Sequence, residues 1–328
     1  MSLWRSTIAY MKNSNTIVVI TGQTATGKTK LGLSLAKEIN GDIISADSRQ
    51  AYRYLDVISG KDIEDSNFVE VKKQGIYSIG YYTIQGVRVW LYDMCTPKDY
   101  LSAYDWAVAA RSIITQLHQE KRTPIIVGGA FHYIRTLLYG LTAIAEPDKE
   151  LRTSLMHESA SQLQQRLKEL DETALNALNQ SDRWNPRRLI RRIEAAAATG
   201  GGASFPGLID TGIHTFTCIG LLYSDTDELE QHINERVQAR LDGGALEEVD
   251  LLIHMGYRPE HYGMLKTIGY QQLMAYSKGT LTLEAAISQW KVKEYQYAKR
   301  QKTFITHDPS FILTSPDTAT LDWVMNVV

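Results

Sequence analysis

The chain has 328 residues, 44% of them hydrophobic and 22% charged, the make-up of a folded globular protein with core enough for two domains rather than of a disordered or fibrous chain. Its 35 Lys and Arg against 37 Asp and Glu give a formal charge of −2, which excludes a protein held to nucleic acid by its overall field, so any such contact has to be local. Two distant cysteines, Cys95 and Cys218, exclude a disulfide framework and cysteine metal-ligand spacing. No apolar run reaches the roughly 18 residues of a membrane span and no signal peptide is visible, so a reduced protein of the cytoplasm is expected.

Residues 1–10 carry no periodic pattern and read as a terminal arm. The first strand is expected at Ile17 to Ile20, followed by the glycine-bracketed loop Gly22-Gln-Thr-Ala-Thr-Gly27-Lys28-Thr29 and an amphipathic helix from Leu31 to Ile39. Further apolar runs at Asp42 to Ala46, Val89 to Tyr92 and Pro124 to Gly128 predict buried strands, with a crossover helix over Ala103 to Leu117. From 141 to 199 the texture becomes strand-free and helical, over Lys149 to His157, Ser161 to Leu170, Thr173 to Leu178 and Pro186 to Ala198. Gly200 to Gly207 is loop-forming, Thr215 to Tyr223 reads as a strand returning to the sheet, and helices are expected at Glu228 to Leu241, Leu246 to Met255 and Leu283 to Thr303. The fold class is therefore α/β: a P-loop NTPase-like parallel sheet flanked by helices, built from 11–140 plus 200–328, with an all-helical domain inserted at 141–199.

Gly22 to Thr29 matches the Walker A pattern in full and sits between a strand and a helix, as that pattern requires. Glycines let the backbone wrap a phosphate, amide hydrogens and the helix N-terminus face the anion, Lys28 neutralises charge and Thr29 can hold Mg²⁺. The loop does not say which phosphate compound it takes: a nucleoside triphosphate is the ordinary occupant, and any diphosphate has the same geometry. Asp47 follows the second strand at the sheet's ligand-binding end, where it can hold Mg²⁺ through water, act as a general base or cap the turn of Ser48, Arg49 and Gln50. Asp93 occupies an analogous place after Val89 to Tyr92 and is the competing carboxylate.

Within the insertion, Arg187, Arg188, Arg191 and Arg192 stand one helical turn apart in pairs while Leu189, Ile190 and Ile193 face inward. Such a cluster is an RNA clamp, an arginine lid over a nucleotide, or a solvated face paired with Glu169, Asp171, Glu172 or Glu194. The last long helix adds Lys291, Lys293, Lys299, Arg300 and Lys302 among Tyr295, Tyr297 and Phe304, a strip that fits RNA contact or helix packing equally well.

Taken in order, Gly22 to Thr29, Ala46-Asp-Ser-Arg-Gln-Ala-Tyr-Arg53, Asp93 with Ser102-Ala103-Tyr104, Pro124 to Gly129, Asn185 to Glu194, Ile233-Asn-Glu-Arg236, Thr267-Ile-Gly-Tyr270 and Ala298-Lys-Arg-Gln301 resemble the motifs of bacterial tRNA dimethylallyltransferases. The resemblance implies transfer of a dimethylallyl group from dimethylallyl diphosphate to N6 of adenosine 37, beside the anticodon of tRNAs that read codons beginning with U. It implies that Gly22, Thr24, Ala25, Thr26, Gly27, Lys28 and Thr29 cradle the diphosphate with Arg236 and Mg²⁺ on Thr29, and that Asp47 is the base. The anticodon stem-loop would meet Asp47, Ser48, Arg49, Gln50, Ala130, Arg187, Arg188, Arg191, Lys266 and Gln271, and the enzyme would act as a monomer. The chain departs from the family's usual residues at Ala130, Gln271, Glu294-Tyr295 and Phe304. A small-molecule or nucleotide kinase remains the alternative for the same loop, with an inactive RNA-binding P-loop protein as a third reading.

Overall fold

A computed structural model describes residues 16–63, 66–140, 149–199, 213, 215–264 and 267–328. The arm expected at 1–10, the loop expected at 200–207 and Lys266 lie outside the described residues. The chain divides into two compact units, with boundaries at Leu138/Tyr139 and Thr211/Gly212.

The larger unit is built on an eight-stranded sheet. Its strands are β1 (Ile17–Gly22), β2 (Gly41–Ser45), β3 (Val69–Gln74), β4 (Tyr77–Ile84), β5 (Val87–Trp90), β6 (Thr123–Val127), β7 (Phe216–Leu221) and β8 (Phe311–Thr314), in the spatial order β3-β4-β5-β2-β6-β1-β7-β8. From β5 to β8 across that order every pair is parallel, whereas β3 with β4 and β4 with β5 are antiparallel. Apart from β8, whose Ile312 and Leu313 are exposed, the parallel strands are Ile- and Val-rich and largely buried; Val18, Ile20, Ile43, Val89, Ile125 and Ile219 share one core cluster, each such side chain stabilising the fold by about 1.5–3 kcal/mol.

The antiparallel edge departs from the all-parallel sheet expected. β3 is almost wholly exposed, with Lys72 and Lys73 blunting an otherwise sticky edge. Its residues thus give no buried apolar run to read. Gln85 and Gly86 both take positive φ, 49° and 81°, which closes the β4–β5 hairpin with the twist that two-residue turns favour.

Helices α1 (Lys28–Glu38), α2 (Ala103–Gln119) and α3 (Phe131–Tyr139) connect the strands of the first half. Ser102 and Asp105 cap α2 reciprocally, each side chain accepting the other's backbone N–H. The smaller unit contains α4 (Lys149–Leu155), α5 (Ala160–Leu170), α6 (Glu172–Asn176), α7 (Gln180–Arg183) and α8 (Pro186–Thr199). Leu163, Leu167, Leu175, Leu189, Ile190 and Ile193 form its core, so the apolar stripe of α8 faces inward as its spacing predicts. In the larger unit, α9 (Thr226–Asp242), α10 (Ala245–His254), α11 (Tyr270–Ser277), α12 (Leu283–Thr306) and α13 (Leu321–Val327) complete the chain. No helix among the described residues is long and apolar enough to cross a membrane.

The connection from β1 through α1 passes over β6 to reach β2, and β1 itself lies between β6 and β7. The loops after β1, β2 and β6 consequently gather at one end of the sheet, where doubly wound folds bind ligands.

Candidate active site

The loop after β1 is shaped by backbone contact. Gly22 has φ 152°, and a Cβ there would stand 2.3 Å from the carbonyl oxygen of Leu221. Gly22→Ala is expected to destabilise the protein by more than about 2 kcal/mol, because the obstacle is backbone of a central strand; a melting temperature within a degree of the parent's would contradict that packing. Ala25 sits at φ 65°, a left-handed conformation costing a non-glycine residue about 1–2 kcal/mol. The hydroxyl of Tyr223 donates to its carbonyl at 2.8 Å and holds it there.

Two further side chains, Gln301 from outside the loop and Gln23 from within it, hold its shape. Gln301 of α12 accepts from the Thr24 N–H at 2.8 Å and donates to the carbonyl of Gly129 at 3.1 Å. Gln23 accepts from the Tyr223 N–H at 2.8 Å. The Thr26 hydroxyl donates to the Gln23 carbonyl at 2.8 Å, and Lys28 Nζ donates to the same oxygen at 2.5 Å. The N–H groups of Ala25, Thr26, Gly27, Lys28 and Thr29, by contrast, have no hydrogen-bond acceptor among the described residues. A run of free amides at a helix N-terminus, with the dipole behind it, is a seat for an anion.

The charges around that seat are unbalanced in the same sense. Burial, and then the Arg236 guanidinium, push the Lys28 ammonium down to about 7, with Asp47 acting the other way. Burial, and then Arg240 and Arg49, hold Arg236 below its ordinary range against Glu294 and Asp47. Two cations that disfavour each other's charge in a partly dry pocket are relieved by a bound polyanion.

Asp47, half-buried at the end of β2, accepts the Arg49 N–H on Oδ1 at 2.8 Å. It therefore does cap the turn, as one reading of the sequence expects. Its Oδ2 accepts no hydrogen bond from the described residues, so the cap leaves one oxygen for chemistry. Asp93 differs: one oxygen is ion-paired with the fully buried Lys61, and the other accepts the Tyr82 hydroxyl at 2.6 Å. Lys61 also donates to Asp56 at 2.6 Å and to the Tyr52 carbonyl at 2.7 Å. The competing carboxylate belongs to a buried structural network.

The remaining expected residues are distributed unevenly. Ser48 and Arg49 lie beside Asp47, and Ala130 follows Gly129, whose carbonyl Gln301 holds. Gln50 is buried, accepting from Ser45 Oγ at 2.9 Å and donating to the Gly60 carbonyl at 2.8 Å. Gln271 donates to the carbonyls of Pro259 and Met264 at 2.9 and 2.8 Å. In the smaller unit Arg187 and Arg188 are exposed and Arg191 and Arg192 half-buried; Arg188 pairs with Asp182, and Arg191 with Glu194 at 3.2 Å. Sequence reasoning missed Glu294, Tyr297 and Gln301 as one functional face of α12, although their spacings of three and four residues give the signal.

The residues present fit a divalent cation of hard character. The Thr29 hydroxyl makes no hydrogen bond to a described residue and is available as a hard oxygen ligand. Mg²⁺ takes one or two protein oxygens and completes its shell from phosphate and water.

A family model described as IPP transferase matches residues 50–308, and one described as Isopentenyl transferase matches residues 15–77. A tRNA dimethylallyltransferase of Acaryochloris marina is 34% identical over 315 residues, covering 94% of this chain and 96% of the relative. One from Geobacter sulfurreducens is 33% identical over 300 residues, 90% of each chain. Among solved structures, the full-length tRNA isopentenylpyrophosphate transferase of Bacillus halodurans matches with a TM-score of 0.64 at 27% identity over 95% of both chains. A eukaryotic dimethylallyltransferase acting on tRNA has a similar fold, with a TM-score of 0.68 at 21% identity over 92% of this chain and 74% of that one.

Proposed function

The chain belongs to the IPP transferase family, and on that premise we propose that it is a tRNA dimethylallyltransferase, moving the five-carbon group of dimethylallyl diphosphate to N6 of adenosine 37 in tRNAs that read codons beginning with U. One observation carries the reading: a run of amides from Ala25 to Thr29 with no acceptor among the described residues, backed by Lys28 and Arg236, within the field of a carboxylate with one free oxygen. A kinase would use the same loop, but the matched families cover the loop, Asp47 and Arg236 together.

In this mechanism the free amides, Lys28 and Arg236 receive the diphosphate and stabilise the negative charge that grows on it as the allylic C–O bond breaks. The electron pair of that bond stays with the leaving diphosphate. The adenine amine attacks the allylic carbon, and because its lone pair is delocalised into the ring it gains from losing a proton as the new N–C bond forms. Asp47 Oδ2 takes that proton, while Oδ1 stays on the Arg49 amide and fixes the carboxylate's direction. Thr29 would hold Mg²⁺, which when bound neutralises part of the diphosphate charge.

The adenosine has to leave the anticodon-loop stack to reach this site, at a cost of a few kcal/mol that contacts with the flanking RNA offset. We assign those contacts to Asp47, Ser48, Arg49, Ala130, Lys266 and Gln271 and, for the stem, to Arg187, Arg188 and Arg191. Gln50, being buried, would serve by holding the Asp47 loop. Arg187→Ala combined with Arg191→Ala should weaken tRNA binding and lower its log–log salt slope by roughly 1.5, while dimethylallyl diphosphate binding stays unchanged. An unchanged slope returns those arginines to a solvated face.

The function itself is tested by incubating the protein with Mg²⁺, dimethylallyl diphosphate and tRNA from cells lacking the modification, then digesting to nucleosides for mass spectrometry. One added five-carbon unit on adenosine 37 supports the proposal. RNA-independent consumption of ATP with a small acceptor would favour the kinase instead.

A further inference from the structure

Glu294 lies in the middle of α12 and is 2% exposed. Its Oε1 accepts the Arg49 Nη1 donor at 3.0 Å and the Trp290 indole N–H at 3.3 Å. Its Oε2 is buried without a hydrogen-bond partner. Arg49 in turn lies over the Tyr297 ring, its guanidinium carbon 4.8 Å from the centroid, while its backbone N–H holds Asp47 Oδ1 at 2.8 Å. Glu294, Arg49 and Asp47 thus form a continuous chain from the helix to the carboxylate.

This arrangement is poorly explained by stability. Burying a carboxylate costs several kcal/mol, and a buried ion pair often contributes no more than a well-packed apolar pair would. Burial opposes the Glu294 charge, and Arg49 and Arg236 outweigh it, keeping the group ionised. What the pair supplies is a fixed geometry: a planar guanidinium held at one face by Tyr297 and at its edge by a carboxylate has little freedom to turn.

We propose that Glu294 is a positioning residue for prenyl transfer, locking Arg49 across Tyr297 so that the Arg49 amide aims the free oxygen of Asp47 at the incoming amine. The inference rests on the reading of Asp47 as proton acceptor.

The test compares Glu294→Gln, which keeps shape and an acceptor but loses charge, in the parent and in an Asp47→Asn background. In the parent kcat should fall roughly tenfold with KM for dimethylallyl diphosphate within about twofold, as expected when a reacting group is misdirected rather than removed. In the Asp47→Asn background the same substitution should leave the residual kcat unchanged. An equal fractional loss in both backgrounds, or no loss in the parent, overturns the proposal. Trypsin cleavage after Arg49 gives a readout without turnover: Glu294→Gln should be cut faster there than the parent, and equal rates contradict the lock. Should the parent transfer nothing, the functional reading falls while the trypsin comparison still decides whether Glu294 holds Arg49. If Glu294→Gln folds poorly by thermal melting, Glu294→Asp serves as the second variant, with a smaller loss expected in the same two backgrounds.

Discussion

Asp47→Asn lowers kcat by roughly 10²–10⁴-fold, the usual contribution of a positioned general base, and leaves the affinities for tRNA and dimethylallyl diphosphate within a few-fold. The choice of asparagine matters. Its side-chain oxygen can keep the hydrogen bond from the Arg49 N–H, so the turn of Asp47 to Gln50 survives and only proton acceptance is lost. Alanine would remove the cap as well, typically about 1 kcal/mol, and blur the result. Rapid-quench measurement of a single turnover isolates the chemical step. A single-turnover rate within threefold of the parent's would remove Asp47 from the reaction and leave it as a cap.

The second large effect concerns Lys28 and pH. Burial and Arg236 depress its ammonium to about 7, so at pH 8 most of it is neutral before a diphosphate binds. A bound diphosphate favours the charged form and raises that value again. Binding above pH 7 therefore draws in about one proton, and affinity falls by up to about tenfold per pH unit. Below that point Lys28 is already charged and the uptake vanishes. Calorimetry at pH 8 in buffers of different ionisation heat reads the proton count directly. Lys28→Met should abolish the uptake and weaken binding about 100-fold, the loss of a charge-assisted contact in a shielded site. Uptake that persists in Lys28→Met would assign the titration to another group.

Both effects depend on residues that the sequence makes visible for clear reasons. Gly22, Gly27, Lys28 and Thr29 stand at fixed spacing because backbone wrapping, helix start and charge must coincide within one turn. β1, β2, β5, β6 and β7 are legible because strands buried on both faces need uninterrupted apolar residues. β3 is not, since an exposed edge places no such demand on Val69 to Gln74. The four-residue β8 and eight-residue α11 are too short for periodicity to register.

Contacts made across the chain are hidden for a different reason. Asp47 and Asp93 look equivalent as carboxylates after strands, and only the buried Lys61 and Tyr82 separate them. Glu294 reads as an oddity on a basic helix until its partner Arg49, 245 residues earlier, is placed beside it. Gln50 and Gln271 resemble surface donors by type, yet both amides are engaged with backbone carbonyls. Pairing of this kind is a property of the folded arrangement and leaves no local pattern.

A crystal structure with an unreactive thio-analogue of dimethylallyl diphosphate and an anticodon stem-loop decides whether the anion seat after β1 and the free oxygen of Asp47 flank one reacting pair. The diphosphate should lie on the amides of Ala25 to Thr29, with Asp47 Oδ2 within about 3 Å of adenine N6, hydrogen-bond reach for a base. A diphosphate seated elsewhere, or an adenine amine beyond the reach of Asp47 with no water between them, would contradict it.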